Sequence, residues 1–244
     1  MEVQELSLSD RLFMAMDEPG YGQSDNPNKS CTLDEIADCY LKVMDDLGID
    51  KCVTVGSLMG CYMALSLASR YPDCVVGVVC TNLYYFPKAA REKDKLESQS
   101  KDASSAVTND PWKLEEDGSH ISKIWETRKS WGVDLCTRAT YDEFTYNLKR
   151  RQRYAKGISI QDGSAFDLKG TSQNVVCPVL CIQGEEATKF FDMIGYDMTG
   201  QFREALLNFE QSKPRVETLP GSLCLVNECA DEWFSLVANF IKSL

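Results

Sequence analysis

The chain has 244 residues, 43% hydrophobic and 26% charged, which suits one substantial core carrying an inserted lobe and excludes a disordered chain. Its 37 acidic against 26 basic residues give a formal charge of −11, a surface that repels phosphate backbones and excludes nucleic acid as the expected partner. No apolar run is long enough to cross a bilayer, so no membrane partner is expected either.

The start, Met1-Glu2-Val3-Gln4-Glu5, is polar and acidic without a signal-peptide pattern. The eleven cysteines are odd in number and scattered through apolar stretches, so they read as reduced thiols packed as small hydrophobes in a cytoplasmic protein. Leu12 to Met16 is an apolar run ending at Asp17-Glu18-Pro19-Gly20-Tyr21-Gly22, the pattern of a buried strand followed by a loop. Thr32-Leu33-Asp34-Glu35 has capping-box spacing. It opens a helix in which Ile36, Tyr40, Val43 and Leu47 recur at helical spacing and which Gly48 closes. Cys52 to Val55 is a second buried strand, running through Gly56-Ser57-Leu58-Met59-Gly60 into a helix from Tyr62 to Ser69. Val75 to Cys80 is a third strand. Residues 88 to 170 are charged, aromatic and mainly helical in pattern, and the basic run Lys149-Arg150-Arg151-Gln152-Arg153 within them reads as a solvated helix face. A fourth strand spans Val179 to Ile182, a helix Phe202 to Phe209, a fifth short strand Val216 to Leu219, and an amphipathic helix closes the chain from Trp233 to Leu244. Strands alternating with helices predict an α/β fold, a mostly parallel sheet with helices on both faces.

The unit of strand, Gly-x-x-x-Gly and helix at Gly56 to Gly60 resembles the nucleophile elbow of the α/β-hydrolase superfamily. Met16 to Asp25 resembles that family's exit from strand 4, Leu47 to Lys51 its approach to strand 5, and Arg70-Tyr71-Pro72-Asp73 with Val75 to Asn82 its run through strand 6. Cys177 to Gly184 resembles strand 7, and Leu219-Pro220-Gly221-Ser222 with Asn227-Glu228 the loop that holds the family's histidine. The resemblance implies a core of residues 1–87 and 171–244 with a helical lid insertion at 88–170. It places Leu58 where the nucleophile is expected. Ala187 stands where the acid of a Gly-x-x-Asp pattern would fall, and Leu223, five residues before Glu228, where the histidine would. The family's first strands, and the His-Gly-type loop that supplies one oxyanion donor, have no counterpart. An N-terminally short chain is therefore expected. Without strand 3, the strand at 12–16 either pairs directly with the one at 52–55 or leaves a gap. An unprotected edge predicts self-association.

A member with Leu, Ala and Leu at these places is expected not to work as a serine hydrolase, because an unactivated hydroxyl is a poor nucleophile. The expected role is binding of a small apolar ligand, or an interaction or regulatory one. The pocket would be lined by Leu58, Met59, Leu223, Trp125, Trp131 and Tyr146, although aromatics at helical spacing also serve as packing. The alternative is a hydrolase of ester or C–C bonds, or another enzyme of the same fold, that uses Ser57, Cys224 or His120 in unusual roles. Each has a plainer reading. Ser57 is a small turn residue, Cys224 a packed thiol without a cationic neighbour, and His120 a surface residue after the turn Asp117-Gly118-Ser119. Cys61, at the start of the elbow helix, reads as core. Cys177 and Cys181 flank Pro178 and a strand, which argues against zinc, and no cofactor is expected.

Overall fold

The computed structural model describes residues 11–21, 23–84, 115–122, 166–193 and 197–244. They fall into two compact units: residues 1–16, 32–86 and 162–244 in one, and 17–31 with 87–161 in the other. The first unit carries the sheet. Its elements in chain order are α1 (Leu33–Asp46), β1 (Cys52–Ser57), α2 (Met59–Arg70), β2 (Val75–Thr81), α3 (Leu168–Gln173) and β3 (Val179–Gly184). They continue with α4 (Glu185–Met193), α5 (Met198–Leu207), β4 (Arg215–Leu219), α6 (Leu225–Glu228) and α7 (Ala230–Lys242).

The described strands form one parallel sheet in the order β1-β2-β3-β4. Val53 lies beside Gly77, Cys80 beside Cys181, and Cys181 beside Val216. The centre of the sheet is where the apolar runs are unbroken. Every residue of β3 is buried and so is every residue of β2 except Val76, as expected of strands covered on both faces. On one face α2 lies across β1 and β2 with α1 packed on it. Leu33, Ile36, Ala37 and Met44 turn inward from α1, and Cys61, Ala64, Leu65 and Ala68 from α2. At the far end of this helix pair, Arg70 bonds Asp38 at 2.6 Å and Ser66 bonds Asp34 at 2.5 Å. On the other face α6 and α7 bring Leu225, Cys229, Val237 and Phe240 against Val79, Leu180 and Ile182. Trp233 of α7 donates its indole N–H to Thr81 Oγ1 at 2.8 Å, fixing the helix to the end of β2.

The Thr32 capping box forms as its spacing predicts: Thr32 Oγ1 accepts from Glu35 N at 3.1 Å, and Glu35 Oε2 accepts from Thr32 N at 2.9 Å. Gly48 follows α1 with φ 66, the left-handed conformation that ends helices at glycine. The expectation of a buried strand at Leu12–Met16 is corrected. These residues form no strand, Leu12 is 77% and Phe13 66% exposed, and the tie to α1 is the Tyr40 hydroxyl reaching the Met16 carbonyl at 3.4 Å. A strand exists through its ladder, and among the described residues nothing pairs with this segment. For the same reason β1 ends the described sheet. Its sequence reads as a buried strand, yet Val55 is 48% exposed.

Candidate functional site

At the elbow the chain leaves β1, passes Leu58 and enters α2 at once. Leu58 has φ 54 and ψ −119, a conformation normally left to glycine, and its backbone is held at both ends. Its N–H donates to the Thr81 carbonyl at 2.9 Å and its carbonyl accepts from Cys61 N at 3.0 Å. Leu58 is therefore the apex of the turn, half-buried. Ser57 still belongs to β1 opposite Thr81, is exposed, and its hydroxyl makes no hydrogen bond among the described residues. Met59 is exposed at the first position of α2. The two glycines of the motif are not equivalent. A methyl on Gly56 would collide with the Gly60 carbonyl and Cys61 N, whereas one on Gly60 would meet open space. Close approach is needed at Gly56 alone. Cys61 sits beneath the turn, fully buried, its thiol donating to the carbonyls of Gly56 at 3.4 Å and Thr81 at 3.3 Å, as a core residue would.

The other ends of the parallel strands arrive at the same side. After β3 the chain turns directly into α4, with Glu185 and Glu186 exposed and Ala187 buried. The N–H groups of Glu186 and Ala187 donate to the Gly221 carbonyl at 3.0 and 3.3 Å. After β4, the loop through Ser222, Leu223 and Cys224 is half-buried. It is gripped by Glu228, which accepts from Ser222 N at 2.5 Å and Ser222 Oγ at 2.6 Å, while Ser222 Oγ accepts from Cys224 N at 3.2 Å. Cys224 is thus the residue before α6, in a turn that Ser222 and Glu228 close.

Two amides that sequence reasoning passed over hold this end together. Asn82, buried and at φ 52, directly follows β2. Its Oδ1 accepts from Gly184 N at 2.8 Å and its Nδ2 donates to the Ser222 carbonyl at 3.0 Å. Gln183 donates from Nε2 to the Leu83 carbonyl at 3.0 Å. Leu58, through Thr81 and Asn82, is thereby linked to Gly184, Ala187 and the Ser222-Leu223-Cys224 loop. A polar residue directly after one buried strand and another inside the next was the available signal, since buried amides require partners.

His120 belongs to the other unit. It is half-buried, and its Nδ1 accepts from Glu115 N at 3.1 Å within the turn that Gly118 makes at φ 75. Trp125, Trp131 and Tyr146 lie outside the described residues. Phe166, another aromatic of the 88–170 segment, is buried and stacks on Tyr62 with ring centroids 5.3 Å apart. Among the described residues no group of three metal-ligating side chains could hold an ion. The described carboxyl end of the sheet therefore offers a half-buried leucine at the strained apex, a second half-buried leucine at 223, an exposed hydroxyl at Ser57, and hydroxyls at Thr81 and Ser222 engaged by Trp233 and Glu228.

A family model described as alpha/beta hydrolase fold matches residues 2–127. The chain is 24% identical over 244 residues to 2-(acetamidomethylene)succinate hydrolase of Mesorhizobium japonicum, an alignment covering 98% of this chain and 81% of that one. Among solved structures, E-2-(acetamidomethylene)succinate hydrolase superposes with a TM-score of 0.63 at 17% identity over 93% of this chain and 80% of its own. MenH from S. aureus superposes with a TM-score of 0.64 at 14% identity, over 93% and 82%. At these identities the structural likeness concerns the fold.

Proposed function

The chain belongs to the alpha/beta hydrolase family, and on that premise we propose that it is a member without hydrolytic turnover that binds a small apolar ligand at the carboxyl end of its sheet. The observation that carries this reading is Leu58. The turn keeps the strained backbone of an elbow while its apex presents a hydrocarbon side chain. Ala187 and Leu223 stand where the acid and the histidine would be expected, so neither a nucleophile nor its base is supplied at those places. Loss of the serine or the histidine of a triad costs about a millionfold in turnover. Met59 and the half-buried Leu223 add apolar surface at that end of the sheet. The free state of the ten described cysteines fits a cytoplasmic protein.

A second reading is favoured by the relative named a hydrolase, which aligns with nearly the whole chain. In that case chemistry falls to Ser57, Cys224 or His120. Ester turnover and labelling by a fluorophosphonate probe separate the two. The first reading expects neither above a heat-denatured control. Turnover abolished by Ser57→Ala or by Cys224→Ala would replace it with the second. Binding is tested independently by displacement of an environment-sensitive apolar dye, which Leu58→Asp is expected to weaken about tenfold or more.

A further inference from the structure

We propose that two copies of this chain pair by reciprocal strand exchange, the Leu12–Met16 segment of each adding to the outer edge of β1 in the other. The acceptor is defined by hydrogen-bond polarity. The N–H groups of Cys52 and Leu58 donate towards β2, to the carbonyls of Cys74 and Thr81. By alternation the N–H groups of Val53, Val55 and Ser57 point to the opposite edge, where no described strand meets them. Thr54 turns its side chain to α2, bonding the Ala64 carbonyl at 3.3 Å, whereas Val53 packs towards α7. Val55 follows Val53 on the α7 side with 48% of its surface exposed. Among the described residues this is an apolar edge with no strand paired to it, of the kind that recruits another strand.

The donor lies in the same unit. Leu12, Phe13 and Met14 are apolar and exposed, in a segment that forms no strand of its own. A parallel addition, matching the rest of the sheet, can set Leu12 beside Val53, Met14 beside Val55 and Met16 beside Ser57. The three donor side chains then fall on the side of the sheet that α7 occupies, beside the half-exposed Val55, and Phe13 falls on the face of Thr54. In that register Arg11 lies opposite Cys52, at the end of β1 that the exposed Asp50 precedes. The antiparallel alternative carries Arg11 to the Ser57 end. Each chain holds both donor and acceptor, so reciprocal exchange closes as a twofold dimer, whereas one-way addition would run on as an open chain of copies.

Light scattering on a size-exclusion column, across a concentration series of the full chain, tests this. A dimer is expected, with concentration-dependent protection from hydrogen exchange confined to residues 11–16 and 53–57. Val55→Lys on the acceptor and Phe13→Asp on the donor are each expected to raise the dimer dissociation constant about tenfold or more. The two substitutions sit at exposed positions, and unchanged circular dichroism identifies folded variants. A monomer at every concentration overturns the proposal, as does a dimer that both variants leave intact or one in which the 53–57 amides gain no protection.

Discussion

At Leu58 a side chain with a Cβ occupies φ 54 and ψ −119, and such a placement costs about 1–3 kcal/mol relative to relaxed backbone. It persists because the Thr81 carbonyl and the Cys61 amide hold both of its peptide groups. Alanine retains the strain and removes the half-buried side chain, while glycine removes both. Leu58→Gly is therefore expected to be more stable than Leu58→Ala by about 1 kcal/mol in urea denaturation, the reverse of the order in a helix interior. Finding alanine above glycine would show that this turn is not strained as the dihedrals indicate.

The β1–α2 unit makes a separate forecast, because its two glycines look alike in sequence and differ in space. Gly56→Ala drives a methyl into backbone of α2 and is expected to cost about 1–3 kcal/mol or more. Gly60→Ala, inside the helix with open space beside it, is expected to be neutral or to stabilise by up to about 1 kcal/mol. Thermal melts of the pair decide it, and equal losses would mean that both glycines are needed for close approach. The elements themselves were legible, since Val75–Cys80 of β2 and Val179–Ile182 of β3 carry no polar side chain and α1 begins at a capping box, features written within a few residues of one another. Leu12–Met16 was not, because whether an apolar run becomes a strand depends on a neighbour that its own sequence does not specify. Nor were Asn82 and Gln183. An amide beside a strand end is indistinguishable from an ordinary turn residue until Gly184, Ser222 and Leu83 are brought to it. At the candidate site, the residue types at 58, 187 and 223 were readable from motif spacing, while the clamp that gathers their loops was not.

For the molecule as a whole, the thiols set an alkaline limit. Cys52 opens β1, Cys74 precedes β2 and Cys177 lies just before β3, so the three stand at the amino ends of adjacent strands. Burial pushes Cys52 up from 9.0 to about 11, helped by its hydrogen bond to Cys74, and burial also raises Cys74 and Cys177. Deeper in the sheet, hydrogen bonds with Cys181 and Cys61, then burial, hold Cys80 well above the usual thiol range. Each group keeps its proton more tightly when folded. The contribution is thus fully present below the unfolded thiol value and is lost as pH rises from about 9 through 11. The urea midpoint is expected to fall between pH 8 and pH 10.5, and Cys52→Ser, whose hydroxyl does not ionise there, to flatten the fall. An unchanged midpoint across that range in the parent would show that these thiols titrate alike in both states.

The Asn82 clamp also fixes a schedule. Its partners lie 102 and 140 residues further along the chain, at Gly184 and Ser222. A ribosome adding about 5–20 residues per second needs roughly 5–20 s to deliver the first and roughly 7–28 s to deliver the second. Over that interval β1, α2 and β2 have been synthesised, yet Val78, Val79 and Cys80 still lack the strand that buries them in the finished sheet. The nascent chain thus carries an open parallel edge for many seconds, long against the microsecond times of local helix formation. Its yield in a cell will depend on what shields that edge while the second half is translated.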